Sequence, residues 1–559
     1  MRLLSLTLVL ACGLRAGVIQ SLNVPVPMRD GVRLSTNIFR PGEPERAPTI
    51  LFRTPYGKGS GMSENHQAFV NAGYAVVVQD VRGRHGSEGV FRPLDQEGPD
   101  GYDTLEWIAA QPWSDGRVGM LGSSYLGIVQ WKVALLNNPH LAAICPQVSG
   151  YDDYIDRFYS TGGAMKIGNR LLWMSQQMRA PGFKPDFGKF VLHLPLRTAD
   201  QAATGQTLEM YQQVVEHPSY DGFWRKMSTR EQIGKIRIPV FSVGGWYDNF
   251  AQSDLEAFAA LRGNSPMRRI LIGPWPHDVR QTFAGVDYGP EASVPLRDLQ
   301  LQWFDKWLKG KDAPMLSRPP ARIFVMGANR WRDESDWPPA RVRYTPMYLQ
   351  SRGHANTLNG DGTLGPEPDP RESADRYRYD PRDPAPTRGG PVCCRPQDFP
   401  WGPMDQREVE SRPDVLVYTS PPLREPVEAT GPVRVVLYVS TTARDTDFTA
   451  KLVDVWPDGH ARNLTDGILR LRYRKGIDQP ENAVPGRTYR IVVDAGVTSN
   501  VFLKGHRIRV EISSSNFPRF DRNPNTGGAI AEETRQVTAS QVVYHGPRRR
   551  SHLLLPVVP

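Results

Sequence analysis

Runs of apolar residues alternate with helical spacing over the first part of the chain. The apolar runs lie at 49–52, 74–80, 117–121 and 142–148, and helical spacing lies at 102–110 and 128–137. Runs that are apolar at nearly every position are typical of parallel strands covered on both faces. Their alternation with helices predicts an α/β domain on a parallel sheet, with its first part over residues 17–148.

The pattern changes after residue 148. Residues 149–232 are rich in Met and aromatic residues and contain no clear strand. Alternation then resumes, with apolar runs at 238–243 and 269–272 and helical spacing at 296–308. We therefore predict a helical cap over 149–232, inserted into an α/β domain whose second part covers 233–312.

Short apolar runs punctuated by Pro and Gly follow residue 312, without helical spacing between them. Clear runs lie at 433–439, 448–455, 489–493 and 507–512. Evenly spaced short strands without helices predict an all-β sandwich over 313–559. Within it, the Pro-, Arg- and Asp-rich stretch at 353–414 is expected to be an extended surface loop.

Composition and charge exclude several classes of protein. The chain has 559 residues, a net charge of +9 and four cysteines. Its one tight basic run, at 548–550, is accompanied by no base-stacking motif and no zinc-finger spacing. We expect no nucleic-acid partner, no disulfide framework and no metal site.

The N-terminal segment resembles a secretory signal. Residues 1–16 begin with Arg2, continue with a mostly apolar run and end in small residues. The run predicts a signal peptide and is too short to span a bilayer comfortably. We expect an exported protein, periplasmic or secreted, with no stable membrane span. A cytoplasmic protein with an N-terminal hydrophobic strand is the alternative.

A serine lies between glycines where one of the predicted strands ends. Residues 122–127 read GSSYLG and fit G-x-S-x-x-G, a relative of the nucleophile elbow G-x-S-x-G. In such an elbow a serine occupies a sharp strand-to-helix turn, and small neighbours clear room for it. The motif alone is weak, but the strand before it and the helix after it favour Ser124 as a nucleophile.

A serine hydroxyl needs a base, and the sequence offers one at the expected place. In an α/β-hydrolase the acid and the histidine follow the serine, each in a loop after a later strand. The run at 238–243 leads into Asp248, and the run at 269–272 leads into His277. We predict that His277 takes the proton of Ser124 and that Asp248 orients the imidazole.

Three other residues compete for these roles. Asp278 and Asp80 are alternatives for the acid. His85 also follows an early strand, but it precedes the serine, so the chain order is wrong.

For the oxyanion, the backbone N–H of Tyr125 is one predicted donor. The loop at 53–59 should supply the second, either as the Tyr56 hydroxyl or as a backbone amide.

At these residues the chain resembles the cocaine-esterase-like (CocE/NonD) hydrolases, relatives of Xaa-Pro dipeptidyl-peptidases and α-amino-acid ester hydrolases. The matching motifs are RTPY (53–56), DVRGRHGS (80–87), GSSYLG (122–127), GWYD (245–248), GPWPH (273–277), TTARDTD (441–447), DGILR (466–470) and GHRIRV (505–510). The resemblance implies an α/β-hydrolase core, a helical cap, a C-terminal jelly roll, no cofactor, and an oxyanion-hole tyrosine that falls on Tyr56.

The resemblance also implies an aromatic acyl pocket. Its residue two past the catalytic Asp is Phe250 here, and a cap tryptophan, which we assign to Trp173, joins it; ordinary core packing is the alternative for both. α-Amino-acid ester hydrolases carry carboxylates just after that Asp, whereas Asn249 follows here. Asp152 and Asp153 could supply negative charge instead, although a solvated loop is the simpler explanation.

These features predict a serine hydrolase that cleaves a small-molecule acyl ester, or an amide, through an acyl-enzyme. The first alternative is an Xaa-Pro dipeptidyl-peptidase with a peptide-like substrate. Less favoured are an α-amino-acid ester hydrolase or acyltransferase, and an inactive carbohydrate-binding protein. Specificity depends on pocket shape, so the substrate itself does not follow from the sequence.

Overall fold

A computed structural model of the chain describes residues 17–178, 186–280, 282–283, 285–393 and 400–559. The predicted signal peptide, residues 1–16, lies outside the described residues, so the signal and the export that it implies stay predictions. In the described part of the chain, no helix is long and apolar enough to cross a membrane.

Strands and helices alternate over the first part of the chain. The strands are β1 (Ile19–Pro27), β2 (Arg33–Arg40), β3 (Ala47–Thr54), β4 (Ala75–Asp80), β5 (Ser114–Ser123), β6 (Leu141–Gln147), β7 (Val240–Gly245), β8 (Arg268–Gly273), β9 (Thr282–Phe283), β10 (Val286–Asp287), β11 (Ala321–Val325) and β12 (Arg330–Glu334). The helices are α1 (Glu64–Asn71), α2 (Glu97–Ala109), α3 (Tyr125–Ala134), α4 (Ile167–Gln177), α5 (Phe187–Leu192), α6 (Ala199–Thr204), α7 (Glu209–Glu216), α8 (Gly222–Met227), α9 (Ala251–Ala260) and α10 (Leu296–Lys309).

Ten of these strands form one mixed sheet. Its order is β1-β2-β4-β3-β5-β6-β7-β8-β11-β12, and the strands from β4 to β11 pair in parallel. The apolar runs that predicted a parallel sheet are its central strands, and β3 and β4 are buried along their whole length. Helix α10 covers one face, where Phe304 approaches Gly119 so closely that a Cβ there would lie 2.5 Å from the ring. The predicted α/β class is confirmed.

The sheet extends past both ends of the predicted α/β region. The hairpin of β1 and β2 adds an antiparallel edge that the sequence pattern did not indicate. At the other edge β11 pairs in parallel with β8, and β12 completes the sheet. The sheet therefore continues through residue 334, past the predicted boundary at 312/313, and that boundary stays a prediction. Pro-rich sequence before β11 resembles the start of a new domain.

The residues between β6 and β7 form the cap. Its described part contains the helices α4 to α8, a π-helical turn at Asp153–Phe158, and 3-10 turns at Leu196–Thr198 and Arg230–Lys235. The aromatic residues that marked this region in the sequence form its core, where Trp224 packs edge-on against Tyr154 with ring centroids 5.4 Å apart. The cap lies over the carboxyl ends of the central strands.

The described C-terminal part is all-β apart from one short α-helix, α11 (Arg407–Glu410), and a 3-10 turn at Leu471–Tyr473. Its strands are β13 (Arg343–Gln350), β14 (Thr363–Gly365), β15 (Ser373–Tyr379), β16 (Leu416–Thr419), β17 (Val427–Thr441), β18 (Asp447–Val455), β19 (Ala461–Arg470), β20 (Tyr489–Phe502), β21 (Arg507–Ser513), β22 (Ala539–His545) and β23 (His552–Val558). They pair in the order β15-β22-β17-β23-β13-β14-β16-β21-β18-β19, with β20 on β17. The all-β class is confirmed, and the jelly-roll type stays a prediction.

The stretch at 353–414 is not the extended surface loop that its composition suggested. It contains β14 and β15, and the Tyr377 and Tyr379 rings are buried in the β-rich core. Alternate residues of β15 face inward, which the many Pro and Arg residues around it obscure in the sequence.

The two domains and the cap share buried contacts near the ends of β7 and β8. The Trp246 indole donates to the Phe324 carbonyl at 2.7 Å, and the Tyr247 hydroxyl donates to the Asn463 carbonyl at 3.2 Å. Asp521 of the C-terminal domain accepts from the backbone N–H of Met165 in the cap at 2.7 Å. The loop after β7 is therefore held by both domains.

Candidate active site

Ser124 occupies a strained turn between β5 and α3. Its backbone angles are φ 58° and ψ −122°, a region that costs a non-glycine residue about 1–3 kcal/mol. The flanking glycines are required by space: a Cβ on Gly122 would lie 2.4 Å from the Leu126 Cβ, and one on Gly127 would lie 2.6 Å from the Ser149 Cβ. The predicted elbow geometry is present, and the serine side chain is half-buried at the floor of a cavity.

His277 and Asp248 meet at the carboxyl ends of two neighbouring strands. The His277 Nδ1 lies 3.0 Å from the Asp248 Oδ1, the His277 side chain is 14% exposed and Asp248 is fully buried. The loop after β7 turns tightly, with the Asp248 N–H donating to the Gly245 carbonyl at 2.9 Å. A buried carboxylate on Nδ1 fixes the imidazole with Nε2 free for a proton transfer.

The competing acids are engaged elsewhere. Asp80 accepts from the Lys58 backbone N–H at 2.7 Å and pairs with the Lys58 ammonium at 3.3 Å. Asp278 pairs with Arg280. The alternative histidine, His85, has its Nε2 3.2 Å from the Pro55 carbonyl. Of the candidate acids, only Asp248 is paired with a histidine in the cavity.

The Tyr56 hydroxyl lies beside the serine. It accepts from the Trp173 indole at 3.2 Å and lines the same cavity as Ser124. The Tyr56 residue as a whole is 43% exposed, but loss of solvent around its hydroxyl raises the pKa of Tyr56, so the group stays protonated at neutral pH. A protonated hydroxyl at this place can donate to an oxygen that develops negative charge.

Tyr125 is present in the site through its backbone. Its side chain points away from the serine: the hydroxyl donates to Glu97 at 2.7 Å and accepts from the Leu94 N–H at 3.1 Å. Its backbone N–H is at the N-terminus of α3, and the N-terminus of a helix favours negative charge nearby. The backbone oxyanion donor that the sequence predicted at Tyr125 therefore lies next to Ser124.

A cavity of about 310 Å³ brings the predicted site residues together. It is lined by Tyr56, Leu94, Ser124, Tyr125, Ile128, Arg157, Phe158, Arg170, Trp173, Gln176, Gln177, Phe250 and His277. Phe250 faces His277 with ring centroids 5.9 Å apart, and Trp173 stacks on Tyr125 at 5.8 Å. The size and the aromatic lining suit a small organic ligand. Asp248 is the predicted site residue that does not line the cavity, because it lies behind His277.

The sequence did not indicate the two arginines of this cavity. Arg157 belongs to the π-helical turn and Arg170 to α4, and the Arg170 guanidinium lies 5.3 Å from the centroid of the Phe250 ring. Burial, helped by the charge of Arg157, lowers the pKa of Arg170 to about 10, so it remains a cation at neutral pH. Nothing in a helical cap pattern predicts which side chains reach the active site.

Asp152 and Asp153 are neither a solvated loop nor a free negative patch. Both are buried at the start of the cap. Asp152 pairs with Arg230 at 3.1 Å, and Asp153 pairs with Arg157 at 2.5 Å and with the Lys132 ammonium. Their charges are neutralised inside the protein, so they offer no anion to a substrate. Among the described residues, no group of three or more His, Cys, Asp or Glu side chains is arranged to hold a metal ion.

Two family patterns match the chain. Residues 30–278 match the X-Pro dipeptidyl-peptidase (S15 family) pattern, and residues 316–554 match the X-Pro dipeptidyl-peptidase C-terminal non-catalytic domain. The cocaine esterase of Rhodococcus sp. (strain MB1 Bresler) is 42% identical over 567 residues, which cover 96% of this chain and 98% of the relative.

Two solved structures are similar to this chain over almost its whole length. An α-amino-acid ester hydrolase superposes with a TM-score of 0.85 at 27% identity, covering 99% of this chain and 98% of its own. An aminopeptidase from a marine sediment archaeon, Thaumarchaeota archaeon, superposes with a TM-score of 0.84 at 27% identity, covering 97% of both chains. The likeness therefore spans the core, the cap and the all-β domain together.

Proposed function

The chain belongs to the CocE/NonD family of serine hydrolases, and we propose that it cleaves acyl esters with a triad of Ser124, His277 and Asp248. The observation that carries this proposal is the arrangement around one strained serine. The Tyr56 hydroxyl lines the same cavity as Ser124, and in that cavity His277 is held by Asp248 at 3.0 Å.

Acylation begins with attack of the Ser124 oxygen on the ester carbonyl carbon. The Ser124 proton passes to His277 Nε2, and the carbonyl π electrons move onto the carbonyl oxygen. The Tyr125 N–H and the Tyr56 hydroxyl donate to this oxyanion, and Asp248 stabilises the imidazolium. The tetrahedral intermediate then collapses, and His277 returns its proton to the leaving alkoxide as an alcohol.

Deacylation repeats these steps with water. His277 takes a proton from the water as it attacks the acyl-enzyme, the oxyanion is again held by the same two donors, and Ser124 leaves with the proton that His277 returns. The products are a carboxylic acid and a free serine. The aromatic rings of Phe250 and Trp173 supply an apolar surface for the acyl group.

The charges of the cavity favour the esterase over an Xaa-Pro dipeptidyl-peptidase. A dipeptidyl-peptidase must hold a free α-ammonium group, and an α-amino-acid ester hydrolase must do the same. The charged side chains that line the described cavity, other than the catalytic histidine, are the cations Arg157 and Arg170. A substrate ammonium placed among them would be repelled. Repulsion of an ammonium group by these two cations also argues against acyl transfer to or from an amino-acid ester.

The decisive experiment compares ester and peptide substrates in two serine variants. Ser124→Ala should lower kcat/KM for 4-nitrophenyl butyrate by at least about 10⁴-fold. The matched control is Ser123→Ala, because Ser123 is the adjacent hydroxyl and donates to the Gln147 side chain at 3.2 Å. It should keep kcat/KM within about threefold of the parent.

Two results would overturn the proposal. Ester turnover that survives in Ser124→Ala would remove Ser124 from the chemistry and place the esterase activity at another site. Faster cleavage of an Xaa-Pro 4-nitroanilide than of the butyrate ester would transfer the assignment to the dipeptidyl-peptidase class.

A further inference from the structure

Two guanidinium groups line the cavity beside the proposed nucleophile. Arg157 is 4% exposed and Arg170 is 7% exposed. Their neighbours in the cavity wall include the apolar side chains of Ile128, Phe158 and Phe250. Placing cations on an apolar wall costs free energy unless each cation is paired and hydrogen-bonded.

Arg157 is only partly satisfied. One of its terminal nitrogens pairs with the Asp153 carboxylate at 2.5 Å, and the other donates to the Ser149 carbonyl at 3.1 Å. Its Nε is buried without a hydrogen-bond partner among the described residues. Asp153 also pairs with Lys132, so this single carboxylate is shared between two cations.

Arg170 lacks a carboxylate partner. It donates to the backbone carbonyls of Arg157 and Asp156, and its guanidinium lies over the Phe250 ring. The Asn249 amide, with its oxygen turned toward Arg170, accepts from it at 3.1 Å. Within the described chain, no Asp or Glu lies within 4.0 Å of its nitrogens as an ion pair. Asp248 acts on it through space but is held by His277.

The described wall of the cavity contains two cations, Arg157 and Arg170, and no carboxylate. A guanidinium binds a carboxylate through two parallel hydrogen bonds, and such charge-assisted bonds are roughly twice as strong as neutral ones. The Phe250 ring contacts two groups of the cavity wall: the His277 ring, with centroids 5.9 Å apart, and the Arg170 guanidinium, 5.3 Å from the Phe250 centroid. An acyl group that lies along this ring would therefore present its far end to Arg170.

We propose that the acyl pocket takes an acyl group with an aromatic or apolar body and a carboxylate at its far end, which Arg170 holds with help from Arg157. The substrate class is thus the monoester of a dicarboxylic acid. This inference rests on the proposed esterase function, because it assigns the ester's acyl half to the cavity beside Ser124.

The test uses two esters that differ in that charge. Mono-(4-nitrophenyl) terephthalate carries a carboxylate, and 4-nitrophenyl 4-ethylbenzoate is a neutral ester of similar length. Each kcat/KM is divided by the ester's rate of alkaline hydrolysis, and the ratio of the two corrected values is the readout. The parent should prefer the carboxylate ester, and Arg170→Met should lower the ratio about 10- to 100-fold.

Control variants separate this charge effect from general damage. Arg170→Lys keeps the cation and should retain part of the preference. Arg84→Met removes a nearby guanidinium that donates to the Pro55 carbonyl at 3.1 Å and does not line the cavity, so its ratio should stay close to that of the parent. Circular dichroism and a thermal melt identify a variant that has failed to fold. The preference of the parent for the carboxylate ester tests the inference without any variant.

Three results would contradict the inference. The parent could show a corrected ratio near one, or Arg84→Met could lower the ratio as much as Arg170→Met. A preference for 4-carboxyphenyl butyrate over phenyl butyrate that depends on Arg170 would put the carboxylate on the leaving group instead. In each case Ser124-dependent butyrate turnover would still support the esterase, whereas its absence would be the failure of the proposed function.

Discussion

The indole N–H of Trp173 donates to the hydroxyl of Tyr56 at 3.2 Å. This bond joins the cap to the loop after β3, and Tyr56 lines the same cavity as Ser124. The cap is therefore connected to the proposed oxyanion donor by a direct contact. Tyr56 follows the buried strand β3, whereas Trp173 belongs to α4 of the cap. The position of the Tyr56 hydroxyl therefore depends on the position of the cap.

Replacing Trp173 with Phe should lower kcat by about fivefold, the effect of one neutral hydrogen bond, and leave KM nearly unchanged. Tyr56→Phe should lower kcat by about 10²-fold, because it removes an oxyanion donor itself. The measurement is steady-state turnover of 4-nitrophenyl butyrate by the two single variants and the double variant. The double variant should be no slower than Tyr56→Phe alone. If the two losses multiply, Trp173 acts on the substrate and not through Tyr56.

Gly127→Ala should destabilise the elbow. The added methyl group would lie 2.6 Å from the Ser149 Cβ and 3.2 Å from the Gln147 carbonyl, so α3 must move away from β6. We expect a loss of about 1–3 kcal/mol in the free energy of unfolding, measured by urea denaturation, and a lower kcat. Gly222→Ala in α8 is the control, since nothing lies within 4 Å of its Cβ position. Equal stability of the two variants would contradict the tight approach.

The Tyr125→Phe variant distinguishes the contribution of the Tyr125 hydroxyl from that of the Tyr125 backbone N–H. The variant loses the bonds to Glu97 at 2.7 Å and from the Leu94 N–H at 3.1 Å but keeps the amide that opens α3. We expect a loss of about 1–3 kcal/mol in the free energy of unfolding. Its kcat should fall much less than that of Tyr56→Phe. A kcat loss as large as that of Tyr56→Phe would show that the ring, not the backbone N–H, serves the oxyanion.

Much of the core, and the positions of the proposed triad, could be predicted from the sequence for a physical reason. A parallel strand such as β4 is apolar at almost every position, so its run is visible, and catalytic loops follow such strands. Asp248 and His277 could be found because each comes directly after one of these runs. The elbow at Ser124 was visible because its sharp turn demands small neighbours at fixed offsets.

The parts that escaped prediction depend on contacts between distant segments. The strands β1 and β11 lie at or near the margins of the sheet, and β1 is mostly exposed, so it carries no apolar run. Arg157 and Arg170 reach the cavity only because the cap folds back over the strand ends. The burial of Asp153 likewise depends on Lys132 of α3, which the cap meets only in the folded chain.

Lys166 should make the stability of the protein depend on pH. Its ammonium donates to the carbonyls of Ile155 and Asp156 at 2.8 Å, and burial, with the charges of Arg170 and Arg519, lowers the pKa of Lys166 from 10.5 to about 7. Between these two pH values the unfolded chain holds a proton that the folded chain has released. Unfolding therefore takes up a proton, and the free energy of unfolding rises with pH.

The expected rise that Lys166 contributes is at most about 1.4 kcal/mol per pH unit, beginning near pH 7. Urea denaturation of the parent and of Lys166→Met at pH 6, 7, 8 and 9 would measure it. The parent should gain stability relative to Lys166→Met above pH 7, and the difference between them should be constant below it. Lys189→Met, which removes an exposed lysine, should follow the parent at every pH. Parallel curves for the parent and Lys166→Met would mean that Lys166 keeps its proton in the folded protein throughout this range.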